Sequence, residues 1–180
     1  HFNDFYFDDG KGSGPLGQVQ LLGRVTAPIM KSRVPEIPEW ALAPVANRAV
    51  EWYLVSEDLP RPESRGRIDG EQVILDWQFS NMAAHYKLVE RTREVMKAAG
   101  YPIILTQLVD GRLPSHQCGT VRIGNDPATA PLDPWCRAHD HANLFVMDAG
   151  FLPTSAAVNP SLTVAAQALR VADYIRRTEL

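Results

Sequence analysis

Asn143-Leu144-Phe145-Val146-Met147-Asp148-Ala149-Gly150 reads as an apolar strand ending in an acid and two small residues. It lies between His116-Gln117-Cys118-Gly119-Thr120 and Val158-Asn159-Pro160-Ser161-Leu162-Thr163. Each flanking stretch, taken alone, has a plain structural explanation. His116 precedes a Gly-Thr turn, on a loop where a side chain either packs or faces a pocket. Asn159 is a favoured helix N-cap, and Pro160 is favoured at the first helical position. Taken together, they put an imidazole and an amide at two loop-to-element junctions on either side of one strand.

Towards the C-terminus, Asn159-Pro160 opens a helix over about 161–177, with Ala165, Ala168, Leu169, Ala172 and Ile175 as its apolar stripe. Another helix is predicted from Asn81 to Ala99, where Leu88, Val89, Val95 and Met96 fall at helical spacing and Gly100 stands as C-cap. Residues 1–80 read as β-rich with irregular connections. Strand-like runs are Phe5-Tyr6-Phe7, Gln18 to Val25, Glu51 to Ser56 and Val73 to Phe79. Pro28, Pro35, Pro38 and Pro44 rule out a long regular element over 26–44. Val45 to Leu54 suggests a helix running into a strand. Pro60 to Gly66 reads as a turn region, and Ile103 to Thr106 as a further strand. After Leu113 the chain changes to loops rich in Gly, Pro and Asp.

A chain of 180 residues has room for one domain with a real core, and 45% apolar with 22% charged residues is ordinary for a globular protein. The net charge of −3 gives no footprint for nucleic acid or an anionic membrane surface. No uninterrupted apolar run approaches the roughly 18 residues that a membrane span requires. The opening His1-Phe2-Asn3-Asp4 shows no signal peptide, and a chain without an initiator Met is expected to be processed, cut or excerpted. Cys118 and Cys136 fit neither a zinc ribbon nor a CxxC motif. They are expected to be two separate buried thiols, with a disulfide between them left open.

Some motifs mislead. Gly12-Ser13-Gly14-Pro15-Leu16-Gly17 spells GxGxxG, but a dinucleotide site needs a buried strand before it and a helix after it. Asp8-Asp9-Gly10-Lys11 precedes it and a strand-like run comes after, so a loop or hairpin is expected. His139-Asp140-His141 looks like a metal fragment without a third ligand, and no metal site is expected. His85 is expected at the surface or partly buried. Trp40, Trp52 and Trp77 are expected to pack in the core rather than line a pocket.

The ordered pattern His116-x-x-Gly119-Thr120-x-Arg122-x-Gly124, then Asn143-Leu144-x-Val146-x-Asp148-Ala149-Gly150-x-x-Pro153, then Asn159-Pro160-x-x-Thr163, resembles the C-terminal signature of the glucose–methanol–choline (GMC) oxidoreductases, FAD enzymes acting on alcohols. The likeness is ordered over 115–176. It is looser over 1–114, where Glu57-Asp58-Leu59-Pro60 and the strand after it are similar to the family's substrate-binding domain. Ile123 stands where Met is usual, and Gly150 where Ser is usual.

The resemblance implies a mixed α+β and α/β fold. Residues 1–107 would be an antiparallel-sheet substrate-binding portion. Residues 108–180 would carry the last strand and helix of a Rossmann-like FAD-binding domain together with the active site. It implies that His116 and Asn159 are catalytic. It implies that Asp148 and Ala149 meet the flavin's pyrophosphate and ribityl region, and that Asn159, Pro160, Ser161 and Thr163 lie beneath its ring. It implies FAD as cofactor and a small-molecule alcohol, such as a sugar or polyol, as substrate. The implied partner is an N-terminal FAD-binding segment of the same protein or a companion chain.

The chemistry agrees with these residue types. Oxidising an alcohol removes a hydroxyl proton and a hydride. Imidazole is a base suited to neutral pH. No side chain accepts hydride, so a cofactor must carry that step, here expected at flavin N5. The amide of Asn159 can orient the substrate oxygen towards His116. The positive end of the helix after Pro160 would favour the anionic edge of reduced flavin. Three other readings stay open: a lyase of the same fold with a structural flavin, a non-catalytic α+β interaction module, and, last, a nicotinamide enzyme built on Gly12 to Gly17.

Overall fold

The computed structural model describes residues 1–109 and 115–179, so the Leu113 boundary lies outside the described residues. The chain divides into two compact units, His1–Ser56 with Ala84–Gly100, and Glu57–Ala83 with Tyr101–Leu180. Among the described residues, helices are mixed with two small antiparallel sheets, each of two strands.

In the first unit, β1 (Gln18–Gly23) pairs with β2 (Glu51–Val55), Val19 opposite Leu54 and Leu21 opposite Trp52, with an irregularity between Leu21 and Gly23. Val19 points inward, where it meets Phe5, Leu16 and Leu88 in the core, with Trp52 and Leu54 packed beside them. Leu88 comes from α3 (Met82–Ala98). That helix ends at Gly100, whose φ of +89° is the left-handed geometry of a glycine stop. The prolines keep the intervening stretch short. Pro28 sits in the first turn of α1 (Ala27–Arg33), and Pro38 caps α2 (Glu39–Ala46). Ala27, Leu42 and Ala46 join these helices. The expected helix-to-strand run over 45–54 is therefore broken, with Asn47 ending α2 before β2 begins.

The glycine-rich loop is closed by its own acid. Asp9 Oδ1 accepts the N–H of Lys11 at 2.9 Å and of Ser13 at 2.8 Å, and Oδ2 accepts Arg91 Nε at 3.0 Å and Nη2 at 2.9 Å. The Ser13 N–H, working against burial and joined by Arg91, holds the Asp9 carboxyl well below the usual carboxylate range. The loop runs into β1, not into a helix, so its N–H groups serve an internal carboxylate where a nucleotide loop would offer them to phosphate. Two further expectations fail in this unit. Phe5-Tyr6-Phe7 is not a strand, because the Tyr6 N–H turns back to the Asn3 carbonyl at 2.9 Å and only Phe2 bridges to Val19. Trp40 is 78% exposed rather than in the core.

In the second unit, β3 (Arg65–Asp69) and β4 (Gln72–Asp76) form a hairpin whose turn starts at Gly70, φ +61°. The stretch expected as a turn up to Gly66 thus already enters β3, and the strand expected to Phe79 stops at Asp76. Arg67 reaches across to Asp76 at 2.8 Å on one face, while Ile68, Val73 and Leu75 stand exposed on the other. Trp77, expected in the core, is exposed and leaves the hairpin edge-on against Phe79, ring centres 4.6 Å apart. The core is Leu132, Cys136, Phe151 and Val171, flanked by Val164 and Ile175.

Val171, Val164 and Ile175 belong to α4 (Ser161–Thr178), which corrects the expected stripe. The helix is apolar on two faces. The face through Val164 and Val171 docks on this core, and Ala165, Leu169 and Ala172 of the expected stripe are exposed. Trp135 stacks on Tyr174 at 4.4 Å, and the Arg170 guanidinium lies 3.8 Å from the Trp135 ring centre, fixing the helix on the 133–137 loop.

The strand expected over 143–148 does not form. Phe145 makes one bridge to Arg137, Val146 N–H bonds to the Cys136 carbonyl at 2.9 Å, and among the described residues no parallel neighbour continues the ladder. Ile103 to Thr106 likewise finds no strand partner among the described residues, and Leu105 is 79% exposed.

Candidate active site

The stretch from His116 to Gly124 is held by the turn at Asp148. Val121 N–H bonds to the Gly150 carbonyl and Ile123 N–H to the Phe151 carbonyl, both at 3.2 Å. Asp148 caps the short 3-10 turn Ala149–Phe151 by accepting the Gly150 N–H at 2.7 Å. Its carboxylate is thereby committed to its own turn, as the short Asp side chain favours. A Cβ on Gly150 would sit 2.7 Å from both Asp148 Oδ1 and Thr120 Oγ1, which explains why glycine serves at this position.

His116 is half-buried and has φ of +58°, a left-handed backbone that is uncommon for a residue other than glycine. Its carbonyl accepts the Ser155 hydroxyl at 3.3 Å. Ser155 is itself fixed by a reciprocal backbone bridge with Asp58, at 2.9 and 3.2 Å. Thr154 donates to Glu57 Oε1 at 2.6 Å, Ser80 N–H donates to Asp58 Oδ1 at 3.2 Å, and Asn81 Nδ2 donates to the Glu57 carbonyl at 3.0 Å. The Glu57-Asp58 segment thus anchors the stretch of chain between the acid turn and α4. In the sequence this segment stood out only as part of the looser likeness. Its anchoring role carries no local motif.

Asn159 is exposed and does not cap α4. The cap position is Pro160, φ −86° and ψ −11°, and no side chain caps the helix. The expected cap was Asn159, with Pro160 as first helical residue. Pro160 itself carries helical torsions and gives Val164 its carbonyl at 3.0 Å, so the helical conformation begins at Pro160 as expected, and the difference is that the Asn159 side chain makes no capping bond. The Asn159 amide is therefore left available. Ser161 and Thr163 are exposed on the first turn, which contains no acid. Among the described residues, the His116 and Asn159 side chains share no hydrogen bond.

Both cysteines are free thiols, Cys136 buried and Cys118 half-buried. Burial pushes the Cys118 thiol up, and the Asp58 charge adds to this, while the neighbouring Ser155 hydroxyl works the other way. A cavity of about 230 Å³ lies elsewhere in this unit, lined by Val121, Ala130, Leu132, His139, His141 and Leu144 among others. Neither His116 nor Asn159 lines it. His139 Nε2 lies 3.1 Å from the Gly124 carbonyl, and among the described residues no group of three or more His, Cys, Asp or Glu side chains could hold a metal. In the first unit, His85 Nδ1 meets Ser56 Oγ at 3.1 Å, and burial lowers the His85 pKa.

A flavin's demands fit these residues in kind. An uncapped, acid-free helix start retains its partial positive charge for an anionic ring edge, and the Ala149-Gly150 turn brings backbone rather than bulky side chains to its surroundings. The GMC oxidoreductase family model matches residues 62–168, more than half of the chain, and the chain belongs to this family of oxidoreductases. Among curated relatives, it is 49% identical to the paromamine 6′-oxidase of Streptomyces fradiae over 60 residues, 33% of this chain and 11% of that protein. It is 45% identical to the 2-methyl-1,2-propanediol dehydrogenase of Mycolicibacterium austroafricanum over 62 residues, 34% of this chain and 11% of that protein. It is 43% identical to the fructose dehydrogenase large subunit of Gluconobacter japonicus over 61 residues, again 34% and 11%. The matched stretch is thus a small part of each relative's length.

Proposed function

We propose that this chain carries the acid–base groups and the flavin-facing floor of a GMC-type enzyme that oxidises an alcohol. In this reading residues 1–107 are the substrate-binding portion, and residues 108–180 are the C-terminal portion of the FAD-binding domain. An N-terminal FAD-binding segment, in the same protein or a companion chain, supplies the rest of the nucleotide site. FAD, when bound, supplies the hydride acceptor that no side chain can provide. His116 takes the hydroxyl proton of the substrate. The Asn159 amide, not used as a cap, holds the substrate oxygen and turns it towards His116. Asp148 and Ala149 present the turn near the pyrophosphate and ribityl region. Pro160, Ser161 and Thr163 form the floor beneath the ring.

The observation that carries this reading is the start of α4. It has no side-chain cap and no acid in its first turn, and Asn159 stands exposed just before it. An uncapped, acid-free first turn leaves its N–H groups and partial positive charge to favour an anionic ring edge, by about 0.3–1 kcal/mol. The names of the relatives add oxidases and dehydrogenases, with fructose and 2-methyl-1,2-propanediol among the alcohols they mention. The test is anaerobic mixing of the FAD-loaded complete enzyme with a panel of alcohols that includes these two. Bleaching of the oxidised flavin is expected. Product formation with the flavin still oxidised would favour the lyase reading instead. Failure of the chain to contribute to FAD binding, even beside its N-terminal segment, would favour the interaction module.

A further inference from the structure

We propose that Ser155 is a positioning residue for His116, acting through its hydroxyl. The inference rests on the reading of His116 as the base. Three observations meet at this side chain. Its hydroxyl donates to the His116 carbonyl at 3.3 Å and stands beside the Cys118 sulfur, so it touches the His116-Gln117-Cys118 turn at both ends. The residue it tethers has a left-handed backbone at φ +58°, a strained conformation that persists only where the surroundings enforce it. Ser155 in turn cannot drift, because its N–H and carbonyl are both bonded to Asp58, and Asp58 accepts from the N–H and the hydroxyl of Ser80. The route runs from a rigid anchor, through one hydroxyl, to the strained residue that aims the imidazole. Glu57 fixes the adjacent Thr154 in the same way, but that bond reaches no site residue. A small loss of aim at a reacting group lowers rate without loosening substrate binding, because it removes an interaction that matters in the transition state.

The experiment uses the FAD-loaded complete enzyme, with fructose and 2-methyl-1,2-propanediol as reductants under anaerobic conditions. Ser155→Ala is expected to slow flavin reduction about fivefold to tenfold while leaving FAD content and KM within about twofold. Ser155→Thr, which keeps the hydroxyl, should restore the rate. In a His116→Ala background the Ser155→Ala effect should vanish, since a residue that acts only through His116 has nothing left to position. A crystal structure of Ser155→Ala should show His116 out of the left-handed region. Ser155→Cys, close in size with a weak donor, serves as second variant should the alanine fold poorly. An unchanged rate in Ser155→Ala, or an equal slowing in both backgrounds, overturns the inference while leaving His116 as base. A normal rate in His116→Ala alone overturns the parent reading, and this inference with it.

Discussion

In the first unit the chain is held mainly by repeating elements, a strand ladder and a long amphipathic helix, and a single buried Arg91–Asp9 pair pins one loop to that helix. In the second unit the stretch from His116 to Pro160 is held by single bonds at irregular intervals, each made by a particular residue: Gly150 to Val121, Asp148 to Gly150, Ser155 to His116 and to Asp58. Ladders distribute a perturbation over many equivalent bonds. A loop pinned at single points concentrates it. Residues that act on substrate belong on the second kind of structure, because each pin can aim one side chain without regard to a repeat. The candidate site thus derives its geometry from its anchors and not from an extended sheet.

The largest contrast is expected at two glycines. Gly17 precedes β1 with φ of +140°, and a Cβ there would run into the Val55 carbonyl, which is backbone and part of the ladder. Gly17→Ala should lower stability by about 3 kcal/mol or more, combining torsional strain with overpacking. Gly150→Ala meets side-chain atoms of Asp148, Thr120 and Val121 instead, and should cost about 1–3 kcal/mol. It should also disturb flavin binding, which Gly17→Ala should alter only as far as it unfolds the protein. Denaturant melts with parallel FAD titration separate these outcomes. Equal losses in both readouts would break the contrast.

A smaller effect concerns pH. Burial lowers the pKa of His85 from its usual 6.5, so the unfolded chain binds the proton more readily than the folded one. Stability from this residue is therefore complete above the unfolded value and is lost as pH falls from there towards the folded one. Melts between neutral and mildly acidic pH should show this loss, and His85→Gln should remove it. A loss of the same size in both proteins would assign the pH dependence to other groups. The smallest effect is expected on the β3–β4 hairpin. Its Arg67–Asp76 pair is solvent-exposed, so Arg67→Ala should change stability by less than about 1 kcal/mol, and less still in high salt.

The two long helices were legible because a 3.6-residue period and a stop signal report directly on helix geometry, as at Leu88, Met96 and Gly100. The antiparallel β1 and β2 were legible through their β-formers. Gly12 to Gly17 could be rejected as a nucleotide loop because the next residues, Gln18 to Leu22, form a strand and not a helix. The sequence did not reveal which apolar face of α4 would bury, because both Leu169 and Val171 lie on plausible stripes and only the position of Leu132 and Phe151 decides. The apolar run at 143–148 reads as a strand, but a strand is a statement about a partner, and periodicity carries no information about one. His116 and Asn159 were singled out by order and spacing. The residues bonded towards His116, namely Ser155, Asp58 and Ser80, are ordinary polar residues whose pairing is long-range and so leaves no local pattern.

The functional reading turns on His116 taking the substrate proton in an enzyme that reduces flavin. The decisive quantity is the rate of anaerobic flavin reduction in the FAD-loaded complete enzyme, compared between wild type and His116→Ala at equal flavin content. A fall of about 10²-fold or more is expected. A near-normal rate would contradict this role for His116.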